Sequence, residues 1–397
     1  MNQYVKKSCR WSFGQSLWKS RCHCTSTGRS TSVLATHRTI YGPSRPQIED
    51  FIEVFNENAR HLPPEDGVVF SGSGTQLGLA ATWRLSVRSD GAFREEIQTP
   101  KFTSINGYDG IKNSLSWSGD HTGVSQFLEL DDHELLLLTC WVRAGLWASP
   151  AVRQQLSIDL LSKPEDEVII LRIRLKGGRV NGMLAIDGAS LQPARIVFDL
   201  RSDVEGLEFL DWRVWRNVSQ SDMRNNVMLY PEKIHYESMS GTNVLHVLEI
   251  KASSLYRGSA VVESAMLLQE HYSKPKSPDI PLDSSFSAST YDLPAWVTNS
   301  GHVLVKASIN GIDDVGYWLF DTGASGSVID RATAEILDLE TFGSFKVKGM
   351  TGDLDGKFRQ SKCMEIGPLR IDDMLMMEMD CSGLVRGGPG PVVGIIG

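Results

Sequence analysis

The chain has 397 residues, of which 41% are hydrophobic and 22% charged, and its formal net charge is −8. That length allows two or three domains with packed cores, and the acidic balance argues against a nucleic-acid partner. No apolar run approaches the roughly 18 residues of a membrane-spanning helix, so no integral membrane segment is expected.

Residues 1–48 are a different material. They carry Lys6, Lys7, Arg10, Lys19, Arg21, Arg29, Arg38 and Arg45, many serines and threonines, and no acid before Glu49. A secretory signal would need a continuous apolar core, and this stretch has none. The pattern fits an organelle transit peptide, plastid or mitochondrial, and the plainer reading is a disordered basic tail. Cys22-His23-Cys24 lacks two further ligands at finger-like spacing, so no metal site is read there. Cys140, Cys363 and Cys381 are too scattered for a disulfide framework.

A β-rich domain is expected over 49–272. Phe51, Val54, Phe55 and Asn58 have helical spacing before Pro63-Pro64 stops the pattern. Alternation over 83–87, 168–175 and 244–250 predicts strands, and Ser89-Asp90-Gly91, residues 107–110, Ser118-Gly119-Asp120 and Lys176-Gly177-Gly178 predict turns. The apolar run 135–142 reads as a buried strand, although 125–165 has room for one or two helices. Trp141, Trp147, Trp212 and Trp215 are expected in the core, and His121 and His133 on the surface. Residues 273–295 carry Pro275, Pro278, Pro281 and Pro294 among serines, the composition of a linker. Strand patterns resume at 302–307 and at 317–320, in a small β domain over 296–397.

The segment 317–330 carries the chemistry. An apolar strand delivers Asp321 to a loop of Thr322, Gly323, Ala324 and Ser325, and Val328-Ile329 then resumes an apolar run. A carboxylate at the end of a buried strand is costly unless it is hydrogen-bonded or used. Gly323 permits close backbone approach, and Thr322 and Ser325 offer hydroxyls to brace the loop. Two such carboxylates facing each other cannot both ionise, so they retain one proton and activate water. Ala185-Ile186-Asp187-Gly188-Ala189-Ser190 reads like a degenerate second copy, but it lacks the threonine, and strand–turn–strand is the preferred reading.

The loop 321–325 with its flanking apolar residues resembles the active-site loop of retropepsin-like aspartyl proteases. The resemblance runs from about 297 to 397 and includes Ile309-Asn310-Gly311 before the catalytic strand. It also includes a glycine-rich hairpin at 347–356 and the element Val393-Gly394-Ile395-Ile396-Gly397. It implies an aspartic endopeptidase with Asp321 as the catalytic carboxylate, and no cofactor. Gly349, Met350, Thr351 and Gly352 would form the flap over a peptide substrate, and Ile395, Ile396 and Gly397 would support the loop. A single loop implies a homodimer in which the second copy supplies the second Asp321. Relatives continue past the position of Gly397, so the domain is expected to be C-terminally truncated as written.

The region 83–87, the turn 107–110, Trp117, the Asp187 hairpin and 229–234 loosely resemble the half-open β domains of lipoprotein-carrier type. That resemblance implies a concave apolar face able to hold a lipid or peptide. The expected fold is mainly β or α+β, an N-terminal antiparallel curved sheet or half-barrel followed by a single-lobe retropepsin-like β-barrel domain. The alternative function is a non-catalytic lipid- or peptide-binding protein whose protease-like domain serves dimerisation.

Overall fold

Between residues 67 and 257 the described strands pair with their neighbours in sequence, except where a helical insertion separates two runs of strands. The computed structural model describes residues 52–53, 67–110, 116–123, 125–128, 130–162, 166–199, 204–216, 227–240, 243–257, 281–288, 292–324, 326–349, 352–385 and 388–397. The leader, most of the expected helix at 49–62 and much of the expected linker lie outside them. Six strands come first: β1 (Val68–Gln76), β2 (Leu79–Val87), β3 (Phe93–Gln98), β4 (Thr103–Tyr108), β5 (Ser116–Asp120) and β6 (Ser125–Phe127). Seven more follow a helical insertion. They are β7 (Leu156–Leu160), β8 (Val168–Leu175), β9 (Asn181–Asp187), β10 (Pro193–Asp199), β11 (Val204–Arg216), β12 (Val227–Ser240) and β13 (Asn243–Arg257). They form one antiparallel 13-stranded sheet, in which β13 returns to pair with β1 and β6 and β7 are left as the edges.

The insertion comprises α1 (Leu130–Arg143), a 3-10 turn (Leu146–Ala148) and α2 (Pro150–Arg153). The run 135–142, expected as a strand, is therefore the body of a helix. Four consecutive leucines favour a helix over a strand. Asp131 and Asp132 in the first turn and Arg143 in the last complement the helix dipole. Gly145, at φ 73°, follows its C-terminal end. The short run gave no period because both sides of the helix are covered.

Two neighbouring residues of α1 reveal the shape of the sheet. The His133 Nδ1 lies 2.7 Å from the Ser116 hydroxyl on β5. Glu134 accepts the N–H groups of Arg179 and Val180, between β8 and β9, at 2.6 and 2.7 Å. β5 and β8 stand second and twelfth in the strand order. In a flat sheet, ten steps would separate them by about 48 Å, whereas a helix is about 10 Å wide. The sheet is therefore strongly curved around α1. Its inward residues, among them Trp83, Leu85, Ile173, Leu184 and Phe198, pack with Leu138, Trp141 and Trp147 in one core. Each fully buried indole, at roughly 200 Å² and 25 cal/mol per Å², contributes on the order of 5 kcal/mol.

Among the described residues the C-terminal part holds twelve strands and one helix. The strands are β14 (Ser284–Phe286), β15 (Ala295–Val297), β16 (Val303–Lys306), β17 (Ser308–Ile309), β18 (Tyr317–Phe320) and β19 (Val328–Asp330). After α3 (Arg331–Ile336) come β20 (Glu340–Gly349), β21 (Gly352–Gln360), β22 (Cys363–Ile366), β23 (Leu369–Asp372), β24 (Leu375–Met379) and β25 (Val392–Ile396). Eight of them form a mixed sheet in the order β15-β16-β18-β25-β19-β24-β21-β20, and four form the sheet β14-β23-β22-β17. Trp318, Ile329, Met364, Met376 and Val393 lie in their common core. The mostly β, two-part fold expected from the sequence is present, and among the described residues neither part is closed into a barrel by strand pairing. Residues 46–397 form one compact unit. Cys140, Cys363 and Cys381 are free and buried.

Candidate active site

Asp321 sits where β18 ends. Trp318 and Leu319 are buried, and Phe320 is 47% exposed, so the strand passes from core to surface just before the carboxylate. β18 runs between antiparallel β16 and parallel β25. After the loop, β19 returns on the other side of β25, with Val328 opposite Ile395 and Ile329 opposite Gly394. β25 is thus inserted between the two strands that flank the Asp321 loop, and the loop crosses over its end.

The crossing is held by backbone. The Asp321 N–H donates to the Ile396 carbonyl at 2.9 Å, and the Ala324 N–H to the Asp321 carbonyl at 3.1 Å. The Gly323 N–H donates to Asp321 Oδ1 at 2.9 Å, which fixes the carboxylate while leaving it exposed. Such an N–H···O⁻ bond is stronger than a neutral one. The Gly397 N–H donates to the Ser327 hydroxyl at 3.4 Å. A Cβ at Gly397 would stand 2.7 Å from that of Ala324 and 2.8 Å from the Gly326 carbonyl. A Cβ at Gly394 would overlap the Trp318 ring and the Val328 carbonyl. Both glycines let β25 lie directly under the loop.

Behind the loop, Asp330 caps α3 by accepting the Thr333 N–H at 3.2 Å, and its other oxygen takes the Cys381 N–H at 3.0 Å. Glu378, almost wholly buried on β24, is paired with Arg359 at 2.5 Å and Arg331 at 2.8 Å. Arg359 also donates to the Leu339 carbonyl. These links tie β24, the base of β21 and α3 into one support.

Of the residues singled out in the sequence, the structure brings Asp321, Thr322, Gly323 and Ala324 together with Ile395, Ile396 and Gly397. Thr322 and Gly323 are exposed. Gly349 and Gly352 pair with each other at the outer end of the β20–β21 hairpin. Ser325, Met350 and Thr351 lie outside the described residues. Ser327 was not singled out, and Gly394 was named only as part of the element 393–397, because their importance depends on partners distant in sequence.

Asp187 ends β9 in a hairpin. Its Oδ1 accepts the N–H groups of Ala189 and Ser190 and the Ser190 hydroxyl, at 3.2, 2.7 and 2.7 Å. It is a turn brace, as the strand–turn–strand reading expects. Trp141 and Trp147 are in the core, and half-buried Trp212 donates to the Pro193 carbonyl. The side chain of Trp215 lies outside the described residues. His121 is exposed, but His133 is half-buried against Tyr108 and Ser116, which corrects the surface reading. The inner face of the N-terminal sheet is covered by α1 and the 3-10 turn.

Residues 305–397 match the family model described as aspartyl protease. No curated protein matches the chain significantly. Among solved structures, a LolA superfamily protein from Nitrosomonas europaea is similar, at 14% identity and a TM-score of 0.35, over 52% of this chain and 93% of its own. MucB is similar at 11% identity and a TM-score of 0.16, over 82% of this chain and 92% of its own. The segment that carries Asp321, its loop, the β20–β21 hairpin and β25 is thus aspartyl-protease-like.

Proposed function

We propose that the chain is an aspartic endopeptidase in which Asp321 activates water against a peptide bond. The observation that carries this reading is the held but solvent-facing Asp321 carboxylate at the β18–β25–β19 crossing, inside the aspartyl-protease-like segment. The second carboxylate comes from Asp321 of a second copy, since Asp187 is committed to its own turn.

The two carboxylates share one proton and titrate as a unit. The ionised member takes a proton from water while its oxygen attacks the carbonyl carbon. The protonated member gives its proton to the carbonyl oxygen. The tetrahedral intermediate then collapses. A proton passes to the amide nitrogen, the C–N bond breaks, and a carboxylic acid and an amine leave. An extended peptide would lie along the exposed strand ends as an added strand, under the β20–β21 hairpin.

Purified full-length protein should cleave an unstructured protein, and a peptide mimic with a hydroxyl at the tetrahedral carbon should inhibit it. Asp321→Asn keeps the shape of the side chain and should lower kcat/KM more than about 100-fold. Equal cleavage by wild type and Asp321→Asn would sink the reading.

A further inference from the structure

Among the described residues, the β20–β21 hairpin pairs with its own sheet only at its base. β21 pairs with β24 through Phe358, Arg359 and Gln360, while β20 and β21 go on pairing from Phe345 and Gly356 out to Gly349 and Gly352. The outer part is a two-stranded ribbon, which is marginal by itself. The register shifts between Phe342 and Phe345, so Gly343 and Ser344 form a bulge where the anchored part ends. Bulges bend a strand, which makes 343–344 the hinge of the ribbon.

The N-terminal sheet grips that hinge. The Ser344 N–H donates to the Leu77 carbonyl at 3.2 Å. A Cβ on Gly343, whose φ is 58°, would stand 2.6 Å from the same oxygen. Leu77 and Gly78 make the two-residue turn between β1 and β2, with φ of 52° and 79°. Leucine is a disfavoured residue in the left-handed region, and strain of this kind persists where surrounding structure over-determines it. A second contact falls at the foot of the hairpin, three pairs below the bulge. The Thr99 hydroxyl accepts the N–H groups of Lys101 and Phe102, fixing the β3–β4 turn. Lys101 Nζ lies 2.7 Å from Glu340 and donates to Gln360 at 2.6 Å. These two residues face each other across the base of the hairpin. The same ammonium stands 5.5 Å from the centre of the Phe342 ring, which stacks on Phe358.

We propose that the N-terminal sheet is a working part of the protease site, with Lys101 and the Leu77 turn as positioning residues that restrict the swing of the β20–β21 ribbon. The inference rests on the reading of that ribbon as the element that closes over substrate at Asp321. Asp321 and Thr322 stay exposed, so the joint restrains the ribbon without blocking the site. Restraint in advance lowers the ordering cost of binding, and its effect belongs in KM more than in kcat.

Hydrogen exchange on the full chain tests this without requiring proteolysis. In Lys101→Met the ribbon amides at 345–349 and 352–356 should exchange about fivefold faster, as for loss of one ion pair. Gly343→Ala should speed them at least as much, and the amides of β22 and β23 should not change. With a cleavable peptide, both variants should raise KM by a similar factor and leave kcat within about twofold. Wild-type exchange of the ribbon in Lys101→Met overturns the proposal, as does faster exchange spread over both sheet systems. If Gly343→Ala does not fold, Lys101→Met alone decides. Faster ribbon exchange in a protein that cleaves nothing supports the joint and overturns the protease reading instead.

Discussion

A carboxylate at the end of a core strand has to be held without being neutralised. At Asp321 the work falls to the Ile396 carbonyl, the Gly323 N–H and the absence of a Cβ at Gly394 and Gly397. The aspartate and its threonine and glycine were legible in the sequence because the loop's needs are local. The reason for Gly394 was not, because Trp318 and Val328 reach it only through pairing of β25 with β18 and β19. His133 shows the same limit. Beside acids it reads as a surface residue, but the curled sheet brings Ser116 and Tyr108 against it. Burial pushes its pKa below the ordinary 6.5, with Glu134 opposing. Glu134 itself is committed to the Arg179 and Val180 N–H groups. The depressed pKa means that the unfolded chain takes up a proton near pH 6.5 that the folded chain refuses. The N-terminal sheet should therefore lose stability as pH falls through 6.5 toward the folded value, and the loss should be complete below it. His133→Gln, neutral at every pH, should flatten this part of the pH–stability curve in urea titrations. An unchanged slope would show that His133 does not carry it.

At the scale of elements, α1 is held by charge as well as by leucines. Arg143 in its last turn is buried and lies 2.8 Å from Glu95 on β3, which also accepts the Trp83 indole N–H at 2.7 Å. The guanidinium stands over the Trp83 ring, 6.0 Å from its centre. Burial opposes the charge on Arg143, but the Glu95 carboxylate outweighs it and holds the group protonated. The neighbouring Cys140 thiol is pushed up to about 12, chiefly by burial, so it stays a thiol at neutral pH. Sequence periodicity could not find this pair. Glu95 and Arg143 are far apart in sequence, and only the curvature places both inside. Breaking the pair should be worse than removing it. Glu95→Gln or Arg143→Met alone should each cost about 3–5 kcal/mol in denaturant unfolding. The double variant Glu95→Leu/Arg143→Met should cost less than the sum and no more than either single change. Additive losses would mean that the two charges do not depend on each other.

At the scale of the whole molecule, the division into two β regions was legible because the strands are marked by alternation and the hairpins by glycine. The joint between the regions was not. It includes Lys101, a single lysine in a turn, and the carbonyl of Leu77, and a backbone oxygen leaves no trace in composition. The largest remaining claim at this scale is the second copy. If each site needs Asp321 from two copies, inactive chains must poison active ones. Asp321→Asn subunits should pair with wild type as well as wild type does with itself. At a concentration well above that of dimer dissociation, a threefold excess of the variant leaves one wild-type chain in four. Random pairing then reduces wild-type homodimers to about a quarter of their number in the unmixed sample. The cleavage rate of a fixed amount of wild type should fall to about a quarter once subunits have exchanged, and to about half with an equal amount. The time course should follow subunit exchange, since dimers formed before mixing stay active until they separate. An activity independent of added Asp321→Asn would show that each chain works alone, and the second carboxylate would then have to be sought within it.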